Sequence, residues 1–216
     1  MTNRLSRREM LKRTAVAGAV AAVPLSQRNV QAEQHSGQPV FETLTQGEGK
    51  TLSAVVARLI PTDENGPGAT EAKVARYIDR ALSGSLISSL GTYRQGFVAL
   101  NRYAESIHGS QFSGLPIEAQ DQVLSDLEDD TATGFSPNAS SFFEVVRSHT
   151  IQGMFSDPAY GGNDDFIGWE LLGYPGVRTS VTADLQRMDS APTARQISAY
   201  DFPAFADLKT RRTNGR

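Results

Sequence analysis

The chain has 216 residues, 39% hydrophobic and 21% charged, ordinary globular material with room for one core and too short for two. It contains no cysteine, which excludes disulfides, covalent c-type haem and cysteine-ligated iron–sulfur clusters. The formal charge of −3 is unevenly spread, with a net +5 on residues 1–32 and −8 on the rest, so the acidic body argues against nucleic acid and anionic lipid as partners.

The basic leader reads as an export signal. "SRREMLK" (Ser6 to Lys12) precedes the weakly apolar run "TAVAGAVAAVPL" (Thr14 to Leu25), the order of a charged region followed by a short apolar one in a secretory signal. Arg7 and Arg8, with Met10 in the apolar slot and Leu11 and Lys12 after it, fit a twin-arginine signal. The expected cleavage point follows "VQA", after Ala32. Thr14 to Val23 is about half the roughly 20 apolar residues that a bilayer span requires, so no permanent membrane helix is expected. Export by this route delivers an already folded protein to the periplasm.

Residues 33–47 are polar and aperiodic and are expected to be a mobile linker, with Val40, Phe41 and Leu44 available to touch the body. A helical domain is expected over 48–176. Leu52, Val55, Val56, Leu59 and Ile60 recur at three- and four-residue steps and predict a first helix that stops near Pro61. After the loop "PTDENGPGAT", Val74, Tyr77, Ile78, Ala81 and Leu82 predict a second. Leu90, Tyr93, Phe97, Leu100, Ala104 and Ile107 predict a third, ended by Gly109. In "LPIEAQDQVLSDLEDD", Pro116 suits the first turn of a fourth helix that turns Val123, Leu124 and Leu127 inward. In "SSFFEVVRSHTIQGMF", Ser140 or Ser141 is the expected cap of a fifth, with Phe143, Val146, Thr150 and Met154 inward. No stretch sustains strand alternation. The predicted fold is all-α, a single compact bundle of about five helices with a long Gly/Pro/aromatic loop. Beyond Gly176 the tail 177–216 is polar apart from Tyr200, Phe202 and Phe205, and is either disordered or ordered by something it lies against.

Few residues are placed for chemistry. His35, His108 and His149 form no two-histidine metal spacing, and His149 reads as a hydrogen-bonded packing residue. "GPGA" (Gly66 to Ala69) lacks the rest of a phosphate loop and reads as a turn into a helix. Asp157, Asn163, Asp164 and Asp165 could supply oxygen ligands to calcium, but their spacing misses the helix–loop–helix calcium pattern. A hydrolase using Asp157, Asp164 or Asp165 with His149, and a stand-alone ligand-binding bundle, are the alternatives to a recognition surface. For such a surface, Tyr160, Phe166, Trp169 and Tyr174 are interface-type anchors among shape-giving glycines and prolines. The same aromatics could equally cover the end of the bundle.

Two motifs carry a resemblance. "IPTDENGPGA" has Ile60, Pro61, Thr62, Asp63, Gly66, Pro67, Gly68 and Ala69. "DPxYGGNxDxxGWxxxGYPG" is matched at Asp157, Pro158, Tyr160, Gly161, Gly162, Asn163, Asp165, Gly168, Trp169, Gly173, Tyr174, Pro175 and Gly176. From about Leu52 to Gly176 the chain resembles the gluconate 2-dehydrogenase subunit 3 family, small subunits of membrane-associated flavin dehydrogenases of sugars and sugar acids. The resemblance implies a non-catalytic subunit with no cofactor or metal of its own. It also implies a large glucose–methanol–choline type partner that carries FAD, and a possible third subunit with haem c. The small subunit is then expected to bind the flavoprotein, help it mature and supply its export signal. The expected interface comprises Pro61, Gly66, Pro67, Gly68, Asp157, Pro158, Tyr160, Gly161, Gly162, Asn163, Asp165, Trp169, Tyr174 and Pro175.

Overall fold

A computed structural model describes residues 41–187 and 194–205. The twin-arginine segment, with Arg7, Arg8, Met10, Leu11 and Lys12, and the cleavage point after Ala32 lie outside the described residues. The fold is all-α: α1 (Gln46–Leu59), α2 (Val74–Ala81), α3 (Leu90–His108), α4 (Ile117–Glu128), α5 (Ala139–Phe155) and α6 (Ile167–Leu172), joined by short 3-10 turns. Among the described residues there is no strand, and the only β-type pairing is an isolated bridge between Asp63 and Gly66. Five of these helices are the expected ones; α6 is an additional short helix inside the glycine-rich loop.

Helix boundaries follow local chemistry. Thr45 and Glu48 form a reciprocal capping box at the start of α1, which satisfies two backbone donors that the helix end leaves unpaired. α3 stops at Gly109, whose φ of 75° is the left-handed geometry that glycine adopts without a β-carbon clash. Two expected boundaries move. Asn138, not Ser140 or Ser141, caps α5, its side-chain oxygen accepting the Ser141 N–H at 3.0 Å; both serines lie within the first turn that it caps. Pro116 occupies the cap position before α4, one residue ahead of the first turn.

α5 is the hub, packing against α1, α2, α3, α4 and α6. Leu52, Val56, Val74, Ile78, Tyr93, Phe97, Leu100, Val123, Leu127, Val146 and Met154 are almost wholly shielded from solvent, and burying each large apolar side chain contributes about 1.5–3 kcal/mol. α3 comes close to α5 at Gly96, where an added methyl would strike the Phe142 ring. Ile107, expected on the inner stripe of α3, is instead 56% exposed, because the last turn of α3 runs past the edge of its neighbours.

The expected linker is anchored at its end. Asp79, in α2 and only 2% exposed, accepts the backbone N–H groups of Glu42 (2.6 Å), Thr43 (3.0 Å) and Leu44 (2.8 Å). A buried carboxylate needs such charge-assisted donors to offset the water it has lost. Leu44 enters the core and the Phe41 ring lies on Gly49 of α1, so both of these linker residues pack on the body.

His149 behaves as a packing residue. It stacks on Tyr93, and its Nδ1 shares a 3.1 Å hydrogen bond with the Tyr93 phenol. Burial pushes the phenol pKa up and pulls the His149 imidazole below its ordinary 6.5, both favouring the uncharged pair. Because the unfolded chain then binds the proton first, stability conferred by His149 is complete above about pH 6.5 and is lost as pH falls below it. Urea unfolding at pH 7.5 and pH 5.0 is expected to give a smaller acid-side loss for His149→Gln than for the parent, the difference bounded at about 1.4 kcal/mol per pH unit. Parallel pH curves for the two proteins would contradict this.

Candidate partner interface

The last carbonyls of an α-helix have no partners within the helix, and α5 ends against the glycine-rich loop. The loop begins with a 3-10 turn, Pro158–Tyr160, capped by Asp157 through the Ala159 N–H at 2.9 Å. It returns across the end of α5 at Gly162 and Gly168, where an added β-carbon would collide with the carbonyl oxygens of Gly153 and Met154 respectively. Only glycine permits these two crossings. The loop then supplies donors that the helix end requires. The Trp169 indole N–H reaches the Phe155 carbonyl at 2.9 Å, and the Asn163 side-chain amide donates to the Ser156 carbonyl at 2.8 Å. The Asn163 side-chain oxygen in turn accepts the Gly168 N–H at 2.7 Å.

Asn163 is fully buried, and its φ of 45°, with 54° at Asp165 and 61° at Phe166, puts three non-glycine residues in the left-handed region. Such geometry costs on the order of 1–3 kcal/mol per residue and persists where the surroundings over-determine it. Here they do: Phe166 and Tyr174 flank the Trp169 ring at centroid distances of 5.3 and 4.8 Å, and the Tyr174 N–H closes α6 onto the Trp169 carbonyl at 2.8 Å.

The other motif, Ile60 to Ala69, is a tight hairpin-like loop. Asp63 and Gly66 exchange backbone hydrogen bonds at 3.1 Å each, and Glu71 reaches back to accept the Gly68 N–H at 3.0 Å and the Thr62 hydroxyl at 2.6 Å. The Thr62 hydroxyl holds the Glu71 carboxyl below the ordinary range. The two motif loops, about 100 residues apart in sequence, meet in space. Leu171 abuts Gly66, the Asp164 N–H donates to the Ala72 carbonyl at 3.3 Å, and Lys73 pairs with Asp164 at 2.5 Å.

The residues expected at an interface divide accordingly. Gly68, Gly162, Asn163 and Trp169 are buried within the chain's own fold, where they give the loops their shape. Gly66, Asp157, Pro158, Gly161 and Pro175 are half-buried, whereas Pro61, Pro67, Tyr160, Asp165 and Tyr174 are exposed. Two apolar residues that sequence reasoning passed over join them: Leu171 is 41% and Leu172 62% exposed, at the end of α6. Their signal was a Leu–Leu pair directly before the glycine stop at Gly173. Part of the tail also lies here. The Ser198 hydroxyl and the Ala199 N–H donate to Asp157, and the Tyr200 phenol meets that of Tyr160.

The oxygens weighed as calcium ligands do not gather. Asp157 serves the tail, Asn163 the end of α5 and Asp164 Lys73, and no group of three or more His, Cys, Asp or Glu among the described residues could hold a metal ion. His149 is engaged with Tyr93 through Nδ1, and among the described residues it forms no hydrogen bond or ion pair with Asp157, Asp164 or Asp165. No helix among the described residues is long and apolar enough to cross a membrane.

The helical scaffold brings two glycine-rich loops together on one face. Residues 46–176 match the family of gluconate 2-dehydrogenase subunit 3, and the chain belongs to that family. It is thus an accessory subunit of a dehydrogenase complex. No curated protein and no solved structure matches it.

Gly168→Ala is expected to lift the loop from α5, because the new methyl occupies the place of the Met154 carbonyl. Unfolding stability should fall by about 1–3 kcal/mol. The emission of Trp169, the sole tryptophan, should move to longer wavelength as the ring leaves its pocket. Unchanged emission and unchanged stability would contradict the clasp.

Proposed function

We propose that this chain is the non-catalytic small subunit that binds the FAD-containing large subunit of a periplasmic sugar or sugar-acid dehydrogenase, helps it mature and accompanies it through the twin-arginine route. Its docking face is the junction of the two motif loops. The observation that carries this reading is the division of labour within the second motif: Asn163, Trp169 and the crossing glycines are spent internally, while Tyr160, Leu171, Leu172 and Tyr174 remain at the surface. Exposed apolar and aromatic side chains on a rigidly held loop are what a partner's surface would cover. The family assignment supplies the kind of partner, a dehydrogenase subunit. FAD and substrate belong to that large subunit in this reading, haem c to a possible third subunit, and neither to this chain. The Arg7–Arg8 leader supplies the export signal for the assembled pair.

Leu172 separates docking from folding, since it lies outside the core. Leu172→Asp is expected to leave Trp169 emission and the unfolding midpoint unchanged. It should weaken association with the large subunit by about 2 kcal/mol, roughly 30-fold. Undiminished affinity would remove this face from the interface.

A further inference from the structure

The family match ends at Gly176, yet the segment lying across the motif face comes from beyond it. The Arg195 N–H donates to the Pro175 carbonyl at 3.1 Å, and the Arg195 carbonyl passes so near Gly176 that a β-carbon there would strike it. The Gln196 side-chain amide bonds to Glu170. Ser198, only 6% exposed, donates its hydroxyl to one oxygen of Asp157 at 2.7 Å, and the Ala199 N–H donates to the other at 2.8 Å. The Tyr200 phenol lies 3.0 Å from that of Tyr160, with the rings edge to face at 81°.

These attachments share two properties. Every one lands on a residue of the second motif loop, and none of residues 194–205 belongs to the hydrophobic core. A main-chain hydrogen bond at one end, with one carboxylate receiving adjacent O–H and N–H donors further along, is a way in which proteins hold a peptide segment. Polar contacts of this kind contribute about 0.5–1.5 kcal/mol each, because water or another chain can replace them. We propose that Arg195–Tyr200 is a self-docked strap held on the second motif loop, and that a segment of the large subunit displaces it on assembly. The strap site is a property of this chain alone; the identity of the displacing segment rests on the subunit reading above. The strap occupies both carboxylate oxygens of Asp157 and the Tyr160 phenol until the partner arrives.

Ser198→Ala/Ala199→Pro in the full chain unlatches the strap without touching the loop beneath. Ala199 opens a 3-10 turn and Ser198 is extended, with φ −71° and ψ 154°, so proline fits the backbone and removes only the N–H that Asp157 accepts. The probe is a labelled peptide of residues 194–205. A short tether presents its own segment at an effective concentration of about 1 mM. A strap docked for about 90% of the time therefore requires the free peptide to bind the unlatched chain saturably with a Kd of about 0.1 mM or below, and the parent chain about tenfold more weakly. Absence of saturable binding to the unlatched chain, or equal binding to both chains, would overturn the strap. With isolated large subunit as the second probe, the unlatched chain is expected to bind about tenfold more tightly than the parent and the peptide to compete. Equal or weaker binding by the unlatched chain would overturn displacement, since a strap retained in the complex would then contribute to it. If the peptide binds as expected while neither chain binds the large subunit, the self-docked strap stands and the subunit reading alone falls.

Discussion

The carbonyl end of α5 is the constraint on which the rest of the molecule's surface depends. α5 is the helix against which the other five pack, and the loop that follows it reverses immediately across its end. Two glycines permit the approach, Trp169 and Asn163 supply donors to the Phe155 and Ser156 carbonyls, and Asn163 ties the loop to itself through Gly168. The strain at Asn163, Asp165 and Phe166 is sustained by these contacts. A loop held this firmly can carry exposed apolar side chains in fixed positions, which a mobile loop cannot. The structural role of the motif and the recognition role proposed for it are thus two consequences of one clasp.

The same constraint couples the two motifs. Because α6 is launched from the clasp, Leu171 arrives against Gly66 and Asp164 arrives beside Lys73. The Ile60 to Ala69 loop is independently stiffened by Glu71. Segments distant in sequence thereby build one face, and a change at the end of α5 is transmitted to both. At the opposite end of α2, Asp79 performs a comparable service for the chain entering the body. In both places one buried polar side chain fixes a segment through several backbone groups at once.

The helices were readable in advance because their apolar residues recur with the helical period, and burial of Val55, Ile78, Phe97, Val123 and Val146 follows that pattern. Details governed by single hydrogen bonds were less accessible. Asn138 rather than a nearby serine caps α5, since three residues within four positions offer the same chemistry and only backbone geometry chooses among them. The glycine-rich motif announced close approach, but a tryptophan amid glycines suits an outward anchor and an inward clasp equally. The carbonyl of Phe155 decides it. The strap was least legible: its bonds join residues about 20 to 40 positions apart, such as Pro175 with Arg195 and Asp157 with Ser198, and polar long-range pairing leaves no periodicity to read.

The contribution proposed for this accessory subunit is a shaped surface, so the direct test is whether that surface holds a flavoprotein. The measurement is recovery of the tagged full chain from its native host, with an absorption spectrum and mass analysis of what accompanies it. The account predicts a yellow complex containing a large FAD-bearing dehydrogenase subunit in defined stoichiometry. A colourless, solitary chain recovered in high yield would contradict it.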